Sequence, residues 1–228
     1  LSCYSLAHCL QFFFYRRLQS QASGLYASFF HNVQQHNVFY SDGAYPDSAS
    51  HADTVITGGS SQNFGSGLGM GDFNADGKND LAVGAYGVSS GAGQVSLFYG
   101  SDERLANEAS SDVDISGETG SAFGLYKIVP GDFNSDGRTD FAVGGRNYSS
   151  NTGRAYIFHN DGSIPTAAGS ADVIITGEGS TNYFGTSIAA ADFDADGRTD
   201  LAIGAERYSS YTGRAYLFYN DGSIPTTA

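Results

Sequence analysis

The sequence predicts an all-β fold, an arc of about three four-stranded β-propeller blades. Three observations predict it. A unit of sixty residues recurs three times, each unit offers four short β-prone runs, and each carries one aspartate-rich loop at the same place. The first loop region reads Gly71-Asp-Phe-Asn-Ala-Asp-Gly-Lys-Asn-Asp-Leu-Ala-Val-Gly-Ala85. The second reads Gly131-Asp-Phe-Asn-Ser-Asp-Gly-Arg-Thr-Asp-Phe-Ala-Val-Gly-Gly145, and the third Ala191-Asp-Phe-Asp-Ala-Asp-Gly-Arg-Thr-Asp-Leu-Ala-Ile-Gly-Ala205. Their leading aspartates are Asp72, Asp132 and Asp192.

Other marks keep the same period. Phe64-Gly65, Phe123-Gly124 and Phe184-Gly185 precede the loops, and a Val/Ile-rich run ending in Gly58, Gly117 and Gly177 precedes those. In the third unit the β-prone runs fall at roughly 172–176, 186–192, 200–205 and 213–219. Gly, Asn-Asp-Gly and Ser-Ser clusters separate them and read as turns. Four strands per unit of this length fit a propeller blade, which buries its two faces by stacking on its neighbours. A parallel β-solenoid is the rival architecture, but its repeats are usually shorter. Small residues such as Gly69, Ala189 and Ala190 are expected near the crowded axis.

Composition agrees. Charged residues are 15% and hydrophobic residues 40%, enough to bury a core, and the 31 glycines with 15 Tyr and 16 Phe favour strands and turns over helices. The net charge of -13 argues against a nucleic-acid partner. Cys3 and Cys9 both lie near the start, so disulfides cannot hold the main body together. No apolar run reaches the roughly 18 residues that span a bilayer.

The loop pattern is Asp-x-Asn/Asp-x-Asp-Gly-x-x-Asp. Side chains at positions 1, 3 and 5 converge when the backbone curls, and Gly at position 6 permits the sharp turn. Position 7 can add a backbone carbonyl and position 9 another carboxylate. The candidate ligands are Asp72, Asn74, Asp76, the Lys78 carbonyl and Asp80; Asp132, Asn134, Asp136, the Arg138 carbonyl and Asp140; Asp192, Asp194, Asp196, the Arg198 carbonyl and Asp200. The loops hold three, three and four acidic residues, ten of the chain's 24. Two carboxylates about 4 Å apart repel by about 4 kcal/mol at an effective dielectric near 20, so a hard cation should relax each loop. All-oxygen ligation in an irregular loop points to calcium, about three ions per chain, over zinc or magnesium. An EF-hand is excluded: its twelfth position is Glu, whereas here Val83, Val143 and Ile203 stand there in β-prone runs. A plain Asp-Gly turn without metal is the competing reading, and three loops in register argue against it.

Phe-Gly, the aspartate loop and the Gly-Ala that follows the next strand together resemble the FG-GAP repeat. That repeat builds the seven-bladed propeller of integrin α-chains and of many secreted or cell-surface bacterial proteins. The resemblance covers about 37–228. It implies that Phe-Gly opens a blade's inner strand, that the calcium loop joins the first two strands, and that the Val/Ile-rich run is an outer strand completing the preceding blade. It further implies a calcium-binding extracellular or cell-surface module with a structural, adhesion or ligand-binding role, a protein or glycan ligand, and further blades or neighbouring domains. Two departures stand out. Gly-Ala-Pro is replaced by Gly84-Ala85-Tyr86, Gly144-Gly145-Arg146 and Gly204-Ala205-Glu206, and Pro130 sits in the second inner run, where local irregularity is expected.

The pattern also predicts a boundary near residue 36. Val38-Phe-Tyr-Ser-Asp-Gly43 matches Leu217-Phe-Tyr-Asn-Asp-Gly222, yet the next loop backwards should start near Phe13, where Phe12-Phe-Phe-Tyr-Arg-Arg17 stands. Residues 1–36 therefore read as a frameshifted, mis-assembled or unrelated leader, and the chain as an incomplete arc. No enzyme is expected. There is no His-Glu-x-x-His and no Gly-x-Ser-x-Gly, and His159 occupies a strand position that is Tyr99 and Tyr219 in the sister repeats. Two alternatives remain. One is the non-catalytic propeller of a larger secreted hydrolase. The other is a carbohydrate-binding propeller whose Tyr148, Tyr208 and Tyr211 stack on sugars.

Overall fold

A computed structural model describes residues 25–26, 35–40, 48–103, 110–226 and 228. Most of the segment before residue 37, with both cysteines and the Phe12–Arg17 run, lies outside these residues. The described chain is almost wholly β. A first sheet pairs β1 (Leu25–Tyr26), β2 (Gln35–Tyr40) and β3 (Thr54–Thr57) in that order. The first blade follows as β4 (Phe64–Gly71), β5 (Asp80–Ala85), β6 (Gln94–Phe98) and β7 (Val113–Ser116). The second is β8 (Val129–Gly131), β9 (Asp140–Gly145), β10 (Arg154–Phe158) and β11 (Val173–Thr176). The third contains β12 (Phe184–Ala191), β13 (Asp200–Ala205) and β14 (Arg214–Phe218). Within these sheets neighbouring strands pair antiparallel throughout. The chain is a partial β-propeller. Its outer strands β7 and β11 come from the start of the following sequence unit, as expected.

Period-2 alternation explains how the blades stack. On β5, Leu81 and Val83 join one apolar cluster with Ile56 and Phe98, while Ala82 belongs to another with Val95, Leu97 and Ile115. That second cluster is completed from the second blade by Phe123, Ile128, Phe141, Val143, Tyr156 and Phe158. On β9, Phe141 and Val143 face the first blade, and Ala142 joins Ala155, Ile157 and Ile175 against Phe184, Leu201 and Ile203 of the third. On β5 and β9 one side carries large residues and the other small ones, so adjacent faces interdigitate. Aromatic rings fix the first interface: Phe73 meets Phe141 edge-on at 5.1 Å, and Phe141 stacks on Phe158 at 5.0 Å. The third blade repeats the residues but not their burial. Leu97 and Ile157 are fully buried, whereas Leu217 at the same repeat position is 50% exposed.

Pro130 has the predicted effect. Its strand β8 is three residues long, against eight for β4 and β12. The proline is accommodated because the inner strand is an edge of its sheet, so its missing N–H breaks no inner ladder. The inner strands approach their neighbours closely. A Cβ on Gly69 would lie 2.6 Å from the Ile128 carbonyl oxygen, and one on Gly144 only 2.1 Å from that of Gly185. At the equivalent Gly204 the nearest atom is the Ser187 hydroxyl, which can rotate away. Gly144→Ala is therefore expected to cost about 1–3 kcal/mol by overpacking a backbone contact, and Gly204→Ala less than about 1. Urea unfolding of both variants measures the difference, and equal costs would contradict backbone contact between β9 and the inner strand β12.

Candidate metal centre

Each aspartate loop joins the first two strands of its blade and leaves from one end of the arc. Local chemistry makes the curl. Positions 4 and 6 both take the left-handed conformation: Ala75, Ser135 and Ala195 at φ 59–63° and Gly77, Gly137 and Gly197 at φ 83–88°. Glycine tolerates that at no steric cost, and side-chain bonds hold the others there. Asp72 accepts the Asp76 and Gly77 amides through its two oxygens at 3.0 and 2.9 Å. Asn74 Oδ1 accepts the Asp76 amide at 3.0 Å, and Asp76 Oδ1 accepts that of Lys78 at 2.9 Å. The same bonds recur around Asp132, Asn134 and Asp136, and around Asp192, Asp194 and Asp196. Positions 1, 3 and 5 thus surround one backbone turn in all three repeats.

Position 9 differs in kind. Asp80, Asp140 and Asp200 begin their middle strands and are buried. Each carboxylate clamps two chain segments. Asp80 accepts the Phe73 amide at 2.7 Å and the Gly100 amide at 2.8 Å, and Asp140 and Asp200 take the matching pairs Phe133 with Asn160 and Phe193 with Asn220. Among the described residues none of the three has a salt-bridge partner. Burial pushes the Asp80 carboxyl up to about 6; its two backbone bonds oppose this, and Asp76 and Asp72 add to it. Burial likewise raises Asp140, with the Asn160 and Phe133 amides opposing.

The Lys78, Arg138 and Arg198 side chains lead away from the loops, Lys78 to Asp102 and the two arginines to the Asn160 and Asn220 carbonyls, so only their backbone could serve a cation. In the third loop Asp192, Asp194 and Asp200 bring ligand atoms within 4.8 Å of one another, while Asp196 groups with Asp194 and Asp221. Asp194 is raised above the usual carboxylate range by desolvation, and by Asp196, Asp200 and Asp192 nearby. In the first two loops an Asn replaces Asp194, and its amide nitrogen donates to Asp76 or Asp136. An all-oxygen donor set around a buried, uncompensated carboxylate fits a hard divalent cation.

Sequence reasoning read Asn160 and Asn220 only as turn residues. Both are buried, and each binds the preceding blade's loop: Asn160 Nδ2 donates to the Asp72 carbonyl at 3.2 Å and Asn220 Nδ2 to the Phe133 carbonyl at 2.9 Å. The recurrence of Asn at the first place of Asn-Asp-Gly was the available signal.

The FG-GAP repeat family matches residues 64–98, 125–158 and 184–218. The chain carries three FG-GAP repeats. Its repeats are those the Phe-Gly and aspartate spacing indicated. Similar proteins include integrin alpha-5 of Xenopus laevis, 30% identical over 151 residues, which covers 62% of this chain and 14% of the relative. Integrin alpha-6 of Gallus gallus is 32% identical over 152 residues, covering 64% of this chain and 14% of the relative. A phosphatidylinositol-glycan-specific phospholipase D of Bos taurus is 34% identical over 107 residues, covering 41% and 13%. The chain thus spans 13–14% of the length of these FG-GAP relatives. Among the described residues no helix is long and apolar enough to cross a membrane.

Proposed function

We propose that the chain is a non-catalytic, calcium-binding propeller module acting outside the cell or at its surface, in a structural, adhesion or ligand-binding role. The carrying observation is the buried position-9 carboxylate, without a salt bridge among the described residues, set beside two or three further loop carboxylates in each of three repeats. Calcium rigidifies one end of the arc by joining the loop tip to the strand base. The integrin relatives support the adhesion reading, and the phospholipase D relative is consistent with a propeller carried beside an enzyme. The sugar-stacking reading loses support from Tyr148 and Tyr208, whose rings are each covered by an arginine at 3.6 Å.

Calorimetric titration of the chain with Ca²⁺ tests the proposal. About three sites per chain are expected, with Kd about 10⁻⁴–10⁻³ M in keeping with an extracellular module. They should vanish in the Asp72→Ala/Asp132→Ala/Asp192→Ala variant. Absence of binding by a folded wild-type chain would reduce the loops to turns.

A further inference from the structure

The end of the arc opposite the aspartate loops has the reverse charge character. It is built by residues 58–63, 86–93, 117–128, 146–153, 177–183 and 206–213, which contain no aspartate. They carry Lys127, Arg146 and Arg207 against Glu118, Glu178 and Glu206, and Arg154 and Arg214 stand where β10 and β14 begin. All three glutamates are engaged. Glu118 pairs with Arg154 at 2.7 Å, Glu178 with Arg214 at 3.0 Å and Glu206 with Arg146 at 3.1 Å. Among the described residues Arg207 has no salt-bridge partner, and the hydrogen bond found for its guanidinium goes to the Tyr183 hydroxyl at 3.4 Å.

Arg207 belongs to a ladder that crosses from the second blade to the third. Arg146 lies over the Tyr126 and Tyr183 rings at 5.6 and 4.5 Å, and Arg207 over Tyr183 and Tyr211 at 4.4 and 5.1 Å. Two guanidinium groups share one ring, with one carboxylate between them. Stacking holds both forks rigid, which lowers the entropy lost on binding an anion.

The repeats provide an internal control, because what blade construction requires recurs at each period. None of the ladder does. Tyr126 stands where the sister repeats have Gly67 and Ser187, Arg146 where they have Tyr86 and Glu206, and Arg207 where they have Gly87 and Asn147. Tyr183 replaces Asn63 and Ala122, and Tyr211 replaces Gly91 and Asn151. The last two positions are left-handed in every repeat, at φ 52–57° and 62–91°. Asn and Gly suit that conformation and a bulky aromatic does not, so both tyrosines are held at a backbone cost. Five residues that the fold does not demand have converged on one patch.

We propose that this patch docks a carboxylate presented by an acidic segment of a protein partner, with Arg207 as the receiving group. A peptide carboxylate on a narrow stem suits it better than a sugar, because the Tyr148, Tyr183 and Tyr208 rings already carry arginines and the open donors are guanidinium edges. The site is independent of the aspartate loops.

Fluorescence anisotropy of labelled hexaglutamate with the full chain, in EDTA so that the loops cannot bind it through calcium, tests the proposal. Saturable binding is expected at 50 mM NaCl, falling steeply at 500 mM. Arg207→Gln should weaken it at least about tenfold, with an unchanged circular dichroism spectrum, and Arg207→Lys should restore part of the loss. Tyr183→Asn, the first repeat's own residue, should weaken binding while keeping or raising the thermal midpoint. Lack of binding, equal binding of hexaglutamine, or an Arg207→Gln variant that binds like wild type would overturn the proposal. Displacement by hexagalacturonate at lower concentration than by unlabelled hexaglutamate would overturn it in favour of an acidic glycan.

Discussion

Truncating Phe141 to alanine is expected to cost about 3–5 kcal/mol, the largest effect of any single core substitution proposed for this chain. The side chain is fully buried between the first two blades, edge-on to Phe73 and stacked on Phe158. Its removal leaves a cavity that rigid strands on both sides cannot close. A matched pair of leucines tests whether blade stacking is the cause. Leu97 and Leu217 occupy the same repeat position, one fully buried against the second blade and the other half exposed. Leu97→Ala should cost about 2–5 kcal/mol and Leu217→Ala no more than about 1. Chemical denaturation with the native slope preserved measures both. Similar costs for the two leucines would mean that stability resides within single blades and not between them.

Adding calcium is expected to raise the thermal midpoint by about 10 °C. At a tenfold excess over Kd each site contributes about 1.4 kcal/mol. Three sites give about 4 kcal/mol, and in a chain of this size each kcal/mol moves the midpoint by about 2–4 °C. The effect should disappear in the triple aspartate variant. It should also depend on pH with a definite sign. Asp80 titrates near 6 in the metal-free fold, against 3.8 for its ordinary value. Between those pH values the folded chain holds a proton that the unfolded chain has lost. That contribution is complete below about 4 and is lost as pH rises through about 6. Calcium requires the ionised carboxylate, so the midpoint difference between calcium and EDTA should grow from pH 5 to pH 7.5. Taking the difference at each pH cancels groups remote from the loops. A calcium effect that is flat or shrinks over this range would place Asp80 outside the coordination shell.

Much of this was legible in the residues. Phe64-Gly65 and Phe184-Gly185 located the inner strands of the first and third blades, whereas β8 begins only at Val129, six residues after Phe123; the Val/Ile runs located the outer strands, and Pro130 marked the shortened β8. The aspartate spacing identified which side chains would crowd one turn, because the hydrogen bonds that build the loop are local and span at most seven residues from Phe73 to Asp80. The roles of Asn160 and Arg207 were not legible. Asn160 reaches back 88 residues to the Asp72 carbonyl, and the Arg207 ladder unites residues from two blades.

The sequence by itself therefore determined the repeat, the strands, the turns and the acidic loops. Each is set by alternation, conformational preference or hydrogen bonding over a few residues. Only the tertiary structure decided which face of each blade is covered, why Leu97 is buried and Leu217 is not, which buried aspartates lie without a salt bridge among the described residues, and which arginines at the end opposite the loops found a glutamate. Those properties depend on atoms brought together by blade stacking, which joins residues some sixty positions apart and leaves no local pattern to read.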